Sequence, residues 1–324
     1  MGRKMKIVVL DRCSVTVGDL DFSELETLGE VTYYDVLPHE ELVQAIGDAE
    51  IVLTNKARFD EELFASCKNL KMVGLFATGY DNIDVVSAKR HGVCVCNVPG
   101  YSTDCVAQQA FAFILAHATS LLQYDASVNR GEWVDSGSFS YFPFPISELT
   151  GKTLGIFGYG AIGKKVAQIG NAFGMHILIH TRTTPENCPF EVVDKETLFR
   201  RSDYLSFHCP LTEQTKGIVN KETLSLMKPT AFLVNTSRGK VIVEQDLADA
   251  LNAGVIAGAG IDVLSKEPMT ADQPLRKAKN CIITPHVAWA GIEARTRLLS
   301  MICDNVRSFQ NGEPKNDVTK LVKE

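Results

Sequence analysis

At 324 residues, with 45% apolar and 22% charged side chains, the chain has the make-up of a soluble globular protein of about two domains, each large enough for its own core. A formal charge of −6 gives no electrostatic reason to expect nucleic acid or an anionic membrane as partner. Nine cysteines lie scattered, with no C-x-x-C pair and no Cys/His cluster at zinc spacing, so no metal is expected and buried free thiols fit a reducing cytoplasm.

The chain opens with basic residues, but the apolar run behind them, 7–10, is too short for a signal-peptide core and stops at Asp11. It reads as a first strand. Short apolar runs at 6–10, 31–36, 50–53, 71–75 and 93–96 alternate with helical segments, which predicts a parallel sheet with crossover helices. Pro99-Gly100 punctuates the end of that unit. A long helix is expected from about Ser102 toward Tyr124; its apolar run is interrupted by His117, Thr119 and Ser120 and falls short of the roughly 18 residues of a membrane span. Residues 131–147 then gather Trp133, Phe139, Tyr141, Phe142 and Phe144 without a period. They read as packing at a subunit or domain contact, the alternative being a direct substrate role.

Residues 154–157 read as a buried strand and 164–173 as the helix that follows it. Between them stands Gly158-Tyr159-Gly160-Ala161-Ile162-Gly163. Gly158 allows a tight turn out of the strand, Gly160 lets the backbone approach a dinucleotide pyrophosphate, and Gly163 lets helix and strand pack closely. The phosphates would sit at the helix N-terminus, where N–H groups and the dipole favour negative charge. Six apolar runs, 154–157, 176–180, 204–208, 231–235, 258–261 and 281–284, give a doubly wound pattern. The tail from about Ala290 has helical spacing through Ile292, Leu298, Leu299, Ile302 and Val306, and is expected to fold back on the first domain.

Ligands of such sheets bind beyond the carboxyl ends of the strands. Three ends here lead to chemistry: one to Asn235-Thr236-Ser237-Arg238-Gly239, one to Asp262 and then Glu267-Pro268, and one to Thr284-Pro285-His286. An arginine forks two N–H bonds onto a carboxylate or carbonyl, and a histidine backed by a carboxylate is an acid/base usable near neutrality. Each alone has a structural reading, as a solvated charge, a turn residue or a packed histidine. Their convergence argues against it.

These runs, together with Ala259-Gly260-Ile261-Asp262-Val263 and Ala77-Thr78-Gly79-Tyr80-Asp81-Asn82-Ile83-Asp84, resemble the signatures of the D-isomer-specific 2-hydroxyacid dehydrogenases over essentially the whole chain. His286-Val287-Ala288-Trp289-Ala290 is most similar to the glycerate dehydrogenase or hydroxypyruvate reductase branch. The resemblance implies an α/β protein of two doubly wound parallel-sheet domains. A Rossmann-type cofactor domain would span 100–286, and a flavodoxin-like substrate domain 1–99 with 287–324, catalysis lying in the cleft. It implies hydride transfer between a nicotinamide cofactor and a small 2-keto or 2-hydroxy acid, in a homodimer. His286 would be the acid, Glu267 its orienting carboxylate, and Arg238 the substrate anchor. Backbone N–H groups of Thr78 and Gly79 would hold the rest of the substrate carboxylate.

For the cofactor it implies Ala161 and Ile162 at the pyrophosphate, Cys209 and Pro210 on the adenosine side, Thr236 and Arg238 near the nicotinamide ribose, and Asp262 near the carboxamide. His208 is read as structural. Many members carry an Asp at the end of the second strand for the adenine ribose; here Thr181 stands there, followed by Arg182. A missing carboxylate and a nearby arginine suit a 2′-phosphate, so NADP(H) is expected, with NAD(H) the alternative. Two other functions stay open: a dinucleotide-sensing module similar to the C-terminal binding protein corepressors, and a dehydrogenase for a bulkier or phosphorylated 2-keto acid. A phosphorylated substrate calls for cations, which 77–84 lacks, though Lys56 and Arg58 stand in the neighbouring 54–58 loop.

Overall fold

The computed structural model describes residues 4–183 and 185–322; the first three residues of the basic chain start lie outside them. The chain divides into two compact units, Met1–Ser102 with Ala290–Glu324, and Thr103–Trp289. The first contains β1 (Lys6–Val9), α1 (Ser23–Leu28), β2 (Glu30–Tyr33), α2 (Leu42–Ile46), β3 (Ile51–Thr54), α3 (Glu61–Ser66), β4 (Met72–Leu75), α4 (Val85–Arg90) and β5 (Cys94–Cys96). The second contains α5 (Thr103–Ala118), α6 (Leu121–Asn129), α7 (Glu132–Ser136), β6 (Thr153–Phe157), α8 (Ala161–Ala172), β7 (His176–His180), β8 (Glu191–Val192) and α9 (Lys195–Arg201). It continues with β9 (Tyr204–Phe207), α10 (Lys221–Ser225), β10 (Phe232–Asn235), α11 (Glu244–Ala253), β11 (Gly258–Ile261) and β12 (Cys281–Ile283), after which α12 (Ile292–Gln310) returns to the first unit.

In the first unit five parallel strands lie in the order β2-β1-β3-β4-β5. Every residue of β3 and β4 is buried, as parallel strands covered on both faces require. α12 turns Leu298, Leu299, Ile302 and Val306 inward, and is tied to this unit by the Arg295–Asp19 ion pair at 2.7 Å and by Gln310 donating to the Leu28 carbonyl at 2.7 Å.

The second unit is a seven-stranded parallel sheet, β12-β11-β10-β9-β6-β7-β8. Successive side chains of one strand enter opposite cores. Leu154 and Ile156 of β6, Ile177 and Ile179 of β7, and Phe232 and Val234 of β10 join one core with residues of α5 and α8. Phe157, Leu178 and Leu233 join the other with residues of α9, α10 and α11. This period of two, with helices on both faces, explains why the strands read as continuous apolar runs.

Two readings need correction. The sheet has seven strands, not six: β8 pairs only Glu191 and Val192 with Leu178 and Ile179, too short an edge to give a hydrophobic period. The helix expected from 102 to 124 is two helices bent by 59°, α5 and α6. The break falls at Ser120, whose φ of 50° is left-handed and whose hydroxyl donates to the Pro145 carbonyl at 2.6 Å. Thr119 bonds back to the Leu115 carbonyl, so two small polar residues end α5 where only apolar density suggested continuity. Among the described residues no single helix is long and apolar enough to cross a membrane.

Candidate active site

The glycine turn follows β6. Gly158 has a φ of 100°, and a Cβ there would lie 2.6 Å from the His208 carbonyl oxygen; one on Gly163 would lie 2.1 Å from the Gly158 oxygen. Both must be glycine. A Cβ on Gly160, by contrast, would meet nothing within 4 Å, and Gly160 opens α8 without a side-chain cap. The first turn of α8, with Ala161, Ile162 and Gly163, thus faces an open cradle whose N–H groups suit an anion.

Around it stand the other residues ascribed to the cofactor. β7 pairs directly with β6, so Thr181 and Arg182 emerge beside the glycine turn. Arg182 is exposed, with no hydrogen bond or ion pair among the described residues. On the other side β9 leads to His208, Cys209 and Pro210. Burial pushes the Cys209 thiol up to about 11. His208 bonds Ser206 Oγ through Nε2 at 2.8 Å, its Nδ1 has no partner among the described residues, and burial lowers its pKa to about 3. Past β10, Thr236 Oγ1 is a second buried polar atom without a partner among the described residues. An open cradle and an orphaned hydroxyl on one sheet edge fit a dinucleotide.

β10, β11 and β12 are neighbours in register, Asn235 beside Ile261 and Ile261 beside Ile283, so the three chemistry-bearing loops emerge side by side. Asn235, fully buried, sets the first. Its Oδ1 accepts from the Ser237 N–H at 3.0 Å and the Ser237 hydroxyl at 2.8 Å, and its Nδ2 donates to the Arg238 carbonyl at 2.9 Å. Arg238 is half-buried, and Nη1 donates to the Ser237 carbonyl at 2.8 Å. A Cβ on Gly239 would lie 1.9 Å from the Leu264 carbonyl carbon, so this loop packs directly on the one that carries Glu267.

Glu267 is held by the Leu264 N–H on Oε1 at 2.9 Å, and its Oε2 meets His286 Nδ1 at 2.7 Å. His286 Nε2 makes no hydrogen bond among the described residues. Asp262, 1% exposed, accepts the Thr284 hydroxyl at 2.5 Å and the Val287 N–H at 2.9 Å on Oδ1, and the Ala288 N–H at 2.9 Å on Oδ2. Burial raises its pKa, opposed by those hydrogen bonds. The carboxylate read as a carboxamide contact is therefore already engaged in holding the His286 loop.

In the first unit Thr78 and Gly79 follow β4. Asn97 Nδ2 donates to the Thr78 carbonyl at 2.7 Å and Thr78 Oγ1 donates to the Val98 carbonyl at 2.8 Å. The backbone N–H groups of Thr78 and Gly79 meet no acceptor among the described residues. All nine cysteines are unbridged, and no group of three His, Cys, Asp or Glu side chains among the described residues could hold a metal ion. The holding roles of Asn235, Asp262 and Asn97 were not read from the sequence. The available signal was an amide or carboxylate at the end of a buried strand, which must find partners.

The family profile described as D-isomer specific 2-hydroxyacid dehydrogenase, NAD binding domain, matches residues 111–288. A hydroxypyruvate reductase of Blautia hydrogenotrophica is 44% identical over 324 residues, covering 98% of this chain and 100% of its own. A glycerate dehydrogenase of Methylorubrum extorquens is 37% identical, covering 97% and 98%. Among solved structures, an NADPH-dependent glyoxylate/hydroxypyruvate reductase of Sinorhizobium meliloti in complex with NADP and malonate is 30% identical, with a TM-score of 0.84 and 97% of each chain covered.

His208 generates a prediction for stability. Its folded pKa of about 3 lies below the ordinary 6.5, so the unfolded chain takes up a proton first as the pH falls. The stability from keeping it neutral is complete above 6.5 and is lost progressively from there toward 3. Urea unfolding between pH 7 and pH 4 should therefore show a shallower loss in His208→Gln than in the wild type. Parallel losses would contradict the account.

Proposed function

The chain belongs to the D-isomer specific 2-hydroxyacid dehydrogenase family, and from that premise we propose that it reduces hydroxypyruvate or glyoxylate to the corresponding 2-hydroxy acid with NADPH. It is an NAD(P)-dependent oxidoreductase of small 2-keto and D-2-hydroxy acids, which sets aside the dinucleotide-sensing alternative. The observation that carries the finer reading is the 2.7 Å bond between Glu267 and His286, one strand end from Asp262 and two from Arg238.

When bound, the nicotinamide supplies the hydride. The chain's own residues do the rest. Arg238 forks onto the carboxylate and carbonyl oxygen of the 2-keto acid, polarising the bond under attack. As the carbonyl carbon is reduced, His286 Nε2 gives its proton to the carbonyl oxygen, while Glu267 fixes the ring through Nδ1. Thr78 and Gly79 N–H groups take the other substrate oxygens. Gly158, Gly160, Ala161, Ile162 and Gly163 hold the pyrophosphate, Cys209 and Pro210 flank the adenosine, and Thr236 offers its hydroxyl to a ribose. The domain that performs the cofactor chemistry is 100–286, and the substrate domain combines 1–99 with 287–324.

Preference for NADP(H) is supported by Thr181 and Arg182, which leave no carboxylate at the end of β7 and put an exposed guanidinium beside it. A homodimer is supported by the face of α6, α7 and 137–146. There Tyr124, Val128, Trp133, Phe142 and Ile146 line an apolar hollow of about 440 Å³, beside Phe139 at 97% exposure.

Steady-state assays of glyoxylate and hydroxypyruvate with each coenzyme test the reaction and the coenzyme choice together. Arg182→Ala should weaken NADPH by roughly 1.5–3 kcal/mol and leave NADH nearly unchanged. A wild type that prefers NADH, with a ratio unmoved by the substitution, contradicts the choice, and no turnover of either acid contradicts the reaction. For the assembly, sedimentation of Phe139→Glu should show monomer where the wild type shows dimer. A wild-type monomer would refute it.

A further inference from the structure

Glu244 opens α11, in the stretch of chain that runs on from Arg238. A carboxylate in the first turn of a helix is commonly explained by the helix dipole alone. Here both of its oxygens are turned onto another loop, the one that follows β11 and carries Glu267. Oε1 accepts the Ser265 N–H at 2.6 Å, and Oε2 accepts the Ser265 hydroxyl at 2.6 Å and Gln273 Nε2 at 3.1 Å. Gln273 is 7% exposed, and its Oε1 accepts the Leu275 N–H at 3.3 Å. One half-buried carboxylate thus grips that loop near its start and at its end.

Ser265 lies next to the groups that hold the acid. The Leu264 N–H, one residue before it, donates to Glu267 Oε1 at 2.9 Å, and Glu267 Oε2 meets His286 Nδ1 at 2.7 Å. Gly239, one residue after Arg238, packs on the backbone of Leu264 and Ser265 so closely that a Cβ there would lie 2.3 Å from the Ser265 nitrogen. The Arg238 connection and the Glu267 loop are therefore pinned together twice, by backbone contact at Gly239 and by the Glu244 carboxylate on Ser265.

We propose that Glu244 is a positioning residue of the reduction. Its carboxylate sets the Glu267 loop against the connection that carries Arg238, and so fixes where the His286 ring stands relative to the substrate anchor. The inference rests on the reading that Glu267 orients His286 for proton transfer, and Glu244 acts through Glu267. An ionised oxygen makes short, strong bonds to an N–H or a hydroxyl, and a misplacement of about 1 Å at a reacting group can cost on the order of a hundredfold in rate.

The test is reductive kcat and KM for hydroxypyruvate, at saturating NADPH, in the wild type, Glu244→Gln, Ser265→Ala, Glu267→Gln and the double variant of Glu244→Gln with Glu267→Gln. NADPH affinity and the thermal midpoint are measured alongside. Glu244→Gln should lower kcat about tenfold, with KM and NADPH affinity within about twofold of the wild type. Ser265→Ala, which keeps the backbone N–H but loses an exposed hydroxyl, should lower kcat about threefold. In the double variant Glu244→Gln should cost less than about twofold beyond Glu267→Gln, because the group it positions is gone. A role confined to the helix start would lower the thermal midpoint and leave kcat unchanged, and that result overturns the inference. An equal loss from Glu244→Gln in both backgrounds overturns it too. If Glu244→Gln does not fold, Ser265→Ala decides, and a kcat equal to the wild type overturns the inference. In each of these cases the reductase reading stands. No turnover of hydroxypyruvate by the wild type overturns that reading and this inference with it.

Discussion

Asp262 ends β11 with a carboxylate removed from water and ringed by donors: the Thr284 hydroxyl and the N–H groups of Val287 and Ala288, while its own carbonyl accepts the His286 N–H at 2.8 Å. This ring allows His286 to sit at a φ of 56°, a left-handed backbone that costs a residue with a Cβ about 1 kcal/mol or more. Without it the loop would relax toward ordinary φ, and the ring would swing away from Glu267. The position of the His286 ring therefore depends on a carboxylate at the end of the neighbouring strand β11 rather than on the histidine itself.

The same device recurs along both sheets. A polar side chain at or just past a strand end turns back to bind the backbone of a loop, and the loop presents a charged or hydrogen-bonding group outward. Asn235 does so for Arg238, Asn97 for Thr78, and Asp11 for the loop after β3. Such groups are costly to bury unless they are satisfied, and once satisfied they fix a single loop conformation. That is how a parallel sheet with apolar strands can hold several reactive side chains at defined places without devoting helices to them.

How much of this was visible in the sequence follows from the kind of signal. Strands buried on both faces, such as β3 and β4, stood out as unbroken apolar runs, and Gly158, Gly160 and Gly163 stood out by their spacing. Arg238, Glu267 and His286 were singled out because they lie within a few residues of strand ends. What escaped was what depends on contacts distant in sequence. Asp262 reaches Val287 and Ala288, and Asp11 reaches residues more than forty positions away, so neither bond leaves a local pattern. β8 escaped because two residues have no period, and the bend between α5 and α6 because the apolar composition runs through it while the hydroxyls of Thr119 and Ser120 end the helix.

The central claim is that Glu267 holds the His286 ring in place as the acid of the reduction, on a loop fixed by Asp262. Its most direct test is reductive kcat/KM for hydroxypyruvate in the wild type and Glu267→Gln, with NADPH affinity measured alongside. The amide preserves shape but replaces the carboxylate that fixes the ring through Nδ1, so kcat/KM should fall on the order of tenfold or more with NADPH affinity retained. An unchanged kcat/KM would contradict the account.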